Sequence, residues 1–317
     1  MQSPTITRTQ NAIGGIAILL VSLSILSVLD ASGKWLLSVG VSLFIVTWLR
    51  YLVHFILIMV LVVSRRELYR FKSRDLRYQI LRGVIILVTT LTFFTTLSYL
   101  PQAQATTMIF LAPLIILAVA PWILGEPRRV SRWIAAALGF IGVLIVIRPG
   151  AGLPLVGVLF GLVTACLMST QHLVTRKVAI DHPVTTMLWG GLIGALPLSA
   201  WVLFVILRGD LGFFDSVRDL SVWNWAIMLS LGLTGVVGHL LQAQAYRLAA
   251  ASLLAPFMYL QIIAASALGW VVWGEFPDKT SWFGIGLICI SGAGIASYEW
   301  YQSRAGSQAS HATSRPA

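Results

Sequence analysis

The chain has 317 residues, 58% of them hydrophobic and 10% charged, with a mean hydropathy of +0.87. A soluble domain carries about 25% charged residues, so this composition excludes a soluble enzyme, a disordered chain and a disulfide-stapled secreted domain. The net charge of +11 fits basic loops between hydrophobic runs rather than a nucleic-acid surface.

A bilayer span takes roughly 20 apolar residues, so ten spans would use roughly 200 residues and leave short loops. Ten apolar segments are expected, at about 12–37, 42–64, 79–99, 103–124, 133–148, 155–175, 185–207, 223–246, 252–273 and 282–301. The runs are continuous rather than alternating, which favours helices over barrel strands. The first is read as a retained helix, since a signal peptide would be shorter and end at a small-residue site. Residues 1–11 and 303–317 (SRAGSQASHATSRPA) are expected to be cytoplasmic tails, the second disordered. The break 208–222 is expected to hold a surface-lying amphipathic turn.

Placing the N-terminus in the cytoplasm and alternating sides distributes the basic residues unevenly. The inner side holds sixteen, including the run Arg65, Arg66, Arg70, Lys72, Arg74, Arg77 and Arg82; the outer side holds four, Arg148, Arg208, Arg218 and Lys279. That asymmetry obeys the positive-inside rule and puts both termini in the cytoplasm. Lys34 and Arg50 are left within the membrane. Cys166 and Cys289 lie in apolar runs without ligand-spaced partners, so no metal site or disulfide framework is expected.

The halves repeat. Ser27, Asp30 and Lys34 match Ser169, His172 and Arg176, each 142 residues on, and Leu111-Ala112-Pro113 matches Leu254-Ala255-Pro256, 143 on. Gly125-Glu126-Pro127 with Trp133 matches Gly274-Glu275-Phe276-Pro277 with Trp282. Two five-helix repeats, 12–150 and 151–302, must enter the membrane from opposite sides because five is odd. The expected fold is thus an all-α polytopic membrane protein of ten transmembrane helices in two inverted repeats. Such repeats characterise transporters, with the site near the midplane between them.

The segments LDASGKWL (29–36), TWLRY (47–51), LSYLPQAQATTMIFLAPL (97–114), LGEPRRVSRW (124–133), GFIGVLIVIRPG (139–150), GHLLQAQAYRLAAASLLAPFMY (238–259) and WGEFPD (273–278) resemble the EamA-type transporters of the drug/metabolite transporter superfamily. The resemblance implies a ten-helix bacterial inner-membrane carrier. It implies substrates such as riboflavin, amino acids, S-adenosylmethionine or opine metallophores. The riboflavin branch is the nearest likeness, so riboflavin uptake is the expected activity.

Ionisable groups within spans are costly and point to function. Asp30 and Lys34 are one turn apart on one helix face, where opposite charges meet. Arg50 and His54 on the second helix are expected to join them. Two readings stay open for this cluster: a substrate or proton site, and a structural ion pair. His172 and His239 are candidates for proton coupling, with an interhelical hydrogen bond as the alternative. Tyr99, Gln102, Gln104, Gln242, Tyr259 and Gln261 supply polar lining, and Trp189 and Trp48 lie apart from the interfacial belt. Pro113 and Pro256 interrupt helices four and nine as hinges or as static kinks. Gly274-Glu275 is expected to cap helix nine and anchor a loop. Glycines 190, 194, 284, 286, 292 and 294 are read as close helix packing. The sequence has no HExxH, GxSxG or P-loop, so no catalytic residue, metal or cofactor is expected. The expected partners are a small-molecule substrate and the bilayer, with a homodimer left open and nucleic acid excluded.

Overall fold

In a computed structural model of the chain, the residues described are 4–112, 114–115, 130–147, 153–178, 180–248, 257–258, 261–291, 294 and 297–298. Every regular element among them is helical: α1 (Pro4–Ser38), α2 (Leu43–Ser64), α3 (Leu76–Tyr99), α4 (Gln102–Ile109), α5 (Val130–Ile147), α6 (Leu155–Val178), α7 (Pro183–Leu207), α8 (Val222–Leu248), α9 (Gln261–Trp273) and α10 (279–291). Six of these, α1, α2, α3, α6, α7 and α8, are long and apolar enough to cross a membrane. The remainder of the expected fourth, ninth and tenth segments lies outside the described residues.

Local chemistry accounts for several boundaries. Pro183 occupies the first turn of α7, where its missing N–H costs nothing. His182 caps that helix, its Nδ1 accepting the Val184 amide at 3.2 Å. Gly274 ends α9 at φ +70°, a conformation that favours glycine. Its N–H donates to the Trp270 carbonyl and the Glu275 N–H to that of Gly269, closing the helix as expected. The break before α8 folds into a 3-10 turn, Leu211–Phe214, and a helical turn, Asp215–Arg218.

Helix packing follows the repeat. Helix α1 packs along α8, and α3 along α6; α2 packs on α8 and on α7, and α3 on α7; α1 meets α9 as α6 meets α4, and α4 meets α9. Exchanging α1 with α6, α2 with α7, α3 with α8 and α4 with α9 leaves this set unchanged. A polar contact recurs between the matching helix pairs. Ser22 of α1 donates to the Gly238 carbonyl of α8 at 2.8 Å, while Thr164, 142 residues after Ser22, donates to Thr92 of α3 at 2.9 Å.

The core runs between the helices, centred on Leu29, Ile45, Phe94, Leu97, Met108 and Ile288. Large apolar side chains also face outward, among them Val60, Leu196, Leu203, Trp223, Val271 and Ile290. Exposed apolar surface on this scale needs lipid rather than water. Of the packing glycines, Gly194 lies against the Tyr51 ring and Gly284 against the Gly142 carbonyl. Gly190 makes only an ordinary contact with Arg82, and Gly286 and Gly294 have nothing within 4 Å of a built Cβ among the described residues. The sequence reading is corrected for those three, because glycine abundance alone does not say which face meets a neighbour.

One polar clasp joins the repeats outside the spans. Asp181, between α6 and α7, accepts from Ser73 Oγ at 2.5 Å, the Arg74 amide at 3.0 Å and Gln79 Nε2 at 2.9 Å. Burial alone would raise this carboxyl, but those hydrogen bonds, with the Arg74 charge, together hold it below the usual carboxylate range. A depressed pKa stabilises the fold above the unfolded value and loses that contribution as pH falls through the folded value. The melting-temperature gap between wild type and Asp181→Asn is therefore expected to be constant near neutrality. It should close below about pH 4, where the carboxyl protonates.

Candidate functional site

Lys34, near the end of α1, is buried, yet its partner is not Asp30. Its ammonium pairs with the Glu275 carboxylate, just beyond α9, and lies 4.5 Å from the centre of the Trp273 ring. Sequence spacing favoured Asp30, one turn away on the same helix. The fold brings α9 onto α1 and supplies a carboxylate from the other repeat, together with an aromatic face. The Gly-Glu motif thus anchors the end of α9 to α1, and a cavity of about 280 Å³ opens beside it, lined by Pro101, Gln104, Glu275, Phe276 and Asp278.

Asp30, 9% exposed, is left without an ion pair among the described residues. The positive charge that acts on it is that of Arg50. Arg50 donates from Nη1 to Thr90 Oγ1 at 2.8 Å, and the Tyr51 hydroxyl reaches the same oxygen at 2.8 Å. The Arg50 guanidinium also lies 5.6 Å from the Phe94 ring centre. One turn along α2, His54 Nε2 meets the Met187 carbonyl at 3.2 Å, linking α2 to α7. His239 on α8 hydrogen-bonds Gln242 one turn further on, within electrostatic reach of Arg50, His54 and Arg82. His172 on α6 lies within reach of Arg82. Side chains from α1, α2, α3, α6 and α8 therefore converge on one interior region with more positive than negative charge.

The remaining candidates separate from it. Trp189 donates to the Phe71 carbonyl at 3.2 Å, which fastens α7 to the α2–α3 connection. Tyr99 is 48% exposed at the end of α3. Trp48 donates to Ser199 at 2.9 Å. Gln261 opens the described part of α9. Tyr259, Pro113 and Pro256 lie outside the described residues.

Two features escaped the sequence reading. The first is Arg82, counted there with the basic inner run. It is 7% exposed, with Nε donating to Thr175 Oγ1 at 3.0 Å and Nη1 to the Thr186 carbonyl at 3.5 Å. Its place inside the apolar segment 79–99 was the available signal. The second is a polar seam among α1, α4 and α9, of which the sequence marked only Gln102 as polar lining. Gln102 Nε2 donates to the Ser27 carbonyl at 3.0 Å, while Ser27 Oγ, Gln102 Oε1, Thr106 Oγ1 and Ser266 Oγ find no hydrogen-bond partner among the described residues. Buried polar atoms left open in this way are costly in a dry core and natural next to water or ligand. Ser27 was visible as a repeat match; Thr106 and Ser266 look like ordinary small residues in apolar runs.

A helical membrane protein of two similar repeats, with ionisable groups buried where the repeats meet, is a multi-pass small-molecule transporter in build. The model of the EamA-like transporter family matches residues 13–148 and again 155–297, and the chain belongs to that family. It is 24% identical to an S-adenosylmethionine uptake transporter of Rickettsia prowazekii, over 87% of this chain and 90% of the relative. It is 27% identical to a riboflavin transporter of Rhizobium johnstonii over 61% of each chain, and 23% identical to one of Vibrio cholerae over 74% of this chain and 76% of the relative. A crystal structure at 18% identity superposes with a TM-score of 0.63, covering 90% of this chain and 98% of its own, which establishes the likeness of fold.

Proposed function

We propose that this protein is a secondary carrier of a small metabolite in the bacterial inner membrane, both termini cytoplasmic, working by alternating access between two inverted five-helix repeats. The observation that carries the reading is the packing pattern, which survives exchange of the two repeats while buried ionisable side chains from both gather between them. Ten spans follow if the segments around α4, α5, α9 and α10 each complete a crossing. Rocking of one repeat against the other would have to break contacts between repeats at one end at a time. Lys34–Glu275 and the Asp181 clasp are two such contacts. Pro113 and Pro256 are proposed as hinges at equivalent places in the repeats.

Riboflavin, carried inward, is the first substrate to test; S-adenosylmethionine, an amino-acid-type metabolite or an opine metallophore is the second reading, favoured by the surplus of buried positive charge. The direct experiment is labelled riboflavin uptake in a riboflavin-auxotrophic bacterium lacking its own importer. Saturable uptake competed by unlabelled vitamin supports the first reading; none, with the protein present in the membrane, removes it. Asp30 is proposed to line the substrate path. Asp30→Asn is then expected to lower the uptake rate of the transported metabolite at least about tenfold, the scale set by losing one charge-assisted contact, with normal membrane abundance. Wild-type rates in that variant would return Asp30 to a structural role.

A further inference from the structure

A guanidinium packed between membrane helices is costly unless an anion meets it. Arg82 has no such anion among the described residues. The two ion pairs there are Lys34–Glu275 and Arg70–Glu67, and the two acceptors of Arg82, Thr175 Oγ1 and the Thr186 carbonyl, are neutral. Neither of them engages Nη2. The helix that faces Nη1 sets the buried Gly190 against it, where a Cβ would stand 3.5 Å away at ordinary contact distance, so Nη2 is the end of the fork left without an acceptor among the described residues. His172 lies within electrostatic reach of it. Arg50 sits further along the same region, bonded to Thr90. Thr90 follows Arg82 by eight residues in α3, or about 12 Å at the rise of a helix. Asp30 balances one of these two arginines and leaves the other uncompensated.

The repeat argues against a scaffold role. Residues that serve the shared architecture recur, as Ser22 recurs in Thr164 and the Gly-Glu motif in both halves. Arg82 does not recur, since α8, the counterpart of α3, has no lysine or arginine before Arg247 near its end. A non-repeated, buried guanidinium with one nitrogen unengaged is suited to recognition. Its planar fork suits two-point binding of a carboxylate or a phosphate better than a point charge would.

We propose that Arg82, buried where α3, α6 and α7 meet and with Nη2 left without an acceptor among the described residues, is the seat of an anionic group of the substrate, a carboxylate or a phosphate, so that the carrier prefers metabolites that carry such a group over those that lack it. The inference rests on the carrier reading and specifies its substrate class. It favours S-adenosylmethionine, which has a carboxylate, over riboflavin, which has no anionic group.

The test is equilibrium binding to the purified full-length protein in lipid nanodiscs, with two matched pairs of probes. S-adenosylmethionine and its decarboxylated form differ by one carboxylate; riboflavin 5′-phosphate and riboflavin differ by one phosphate. In at least one pair the member that carries the carboxylate or phosphate is expected to bind about tenfold or more tightly, the value of a charge-assisted pair of hydrogen bonds. Arg82→Gln, which keeps a donor for Thr175, should bring the two members within about threefold of each other while the affinity of the member lacking the anionic group holds. Arg82→Lys should retain part of the preference. Which pair responds tells carboxylate from phosphate. Equal affinities within both pairs in the wild type, no binding of either probe that carries the anionic group, or a preference that survives in Arg82→Gln overturns the assignment. The wild-type comparison stands even if the variants fail to fold. Uptake of riboflavin itself, indifferent to Arg82, would overturn this inference and leave the carrier reading intact.

Discussion

Gly284→Ala is expected to destabilise the protein by about 1–3 kcal/mol, the usual cost of overpacking a close contact, and Gly286→Ala on the same helix is not. A Cβ on Gly284 would lie 2.7 Å from the Gly142 carbonyl, and one on Gly142 would lie 2.8 Å from the Gly284 carbonyl. Both neighbours are helix backbone, so no rotamer change relieves the clash, and α5 and α10 must move apart. In lipid, where helices attract each other by packing rather than by the hydrophobic effect, such a contact is among the main sources of association. Gly286 has nothing within 4 Å of its Cβ position among the described residues, so alanine there changes only helix propensity, a gain of up to about 1 kcal/mol. Thermal unfolding in detergent, with loss of helical signal as the readout, should give shifts of opposite sign. Equal shifts would remove the close α5–α10 contact from the description.

Glu275→Gln is expected to be more damaging than Lys34→Met, and the double variant milder than Glu275→Gln alone. The two side chains are unequally buried, with Lys34 at 9% exposure and Glu275 at 31%. Removing the carboxylate strands an ammonium between α1, the end of α9 and the Trp273 ring. Losing one partner of a buried pair costs about 3–5 kcal/mol, and the partial exposure of Glu275 places this case toward the lower end. Removing the lysine leaves a carboxylate that still reaches water. Replacing both partners leaves no orphaned charge, and apolar substitutes for buried pairs are often neutral. A double-mutant cycle on melting temperature measures the coupling directly. Additive effects would mean that the pair contributes nothing. If the pair also closes one end of the carrier, Glu275→Gln should alter transport rates beyond what its abundance explains.

Much of this molecule could be read from its sequence because the bilayer imposes strong rules. Continuous apolar runs located the six long helices to within a few residues, although α1 begins at Pro4, some eight residues before the apolar run that marks it. The repeat, visible in Ser27/Ser169 and the Gly-Glu motif, corresponds to the exchange pattern of helix packing. Pairing was less accessible. Lys34 and Glu275 are 241 residues apart, and only the approach of α9 to α1 brings them together, so the local rule that favoured Asp30 lost to tertiary structure. Arg82 was hidden by its company. It closes a run of surface cations and lies about two turns inside α3, where a long side chain can either extend to the interface or turn inward. Charge alone does not distinguish these, and the hydrogen bonds to Thr175 and Thr186 do. Trp189 shows the reverse case: a tryptophan that looked like a cavity residue is held by the Phe71 carbonyl.

The central claim, that a substrate site lies between two repeats that open to alternate sides, is tested most directly by counterflow. The purified protein would be reconstituted into liposomes loaded with millimolar unlabelled S-adenosylmethionine or riboflavin, and diluted into a trace of the labelled compound. A carrier without ATP must concentrate label transiently inside, because the outward flux of unlabelled substrate returns the site to the labelled side. The account predicts such an overshoot with one of the two compounds, saturable, absent from empty liposomes and reduced in Asp30→Asn. Label that only equilibrates, at a rate linear in concentration and the same in every variant, would contradict it.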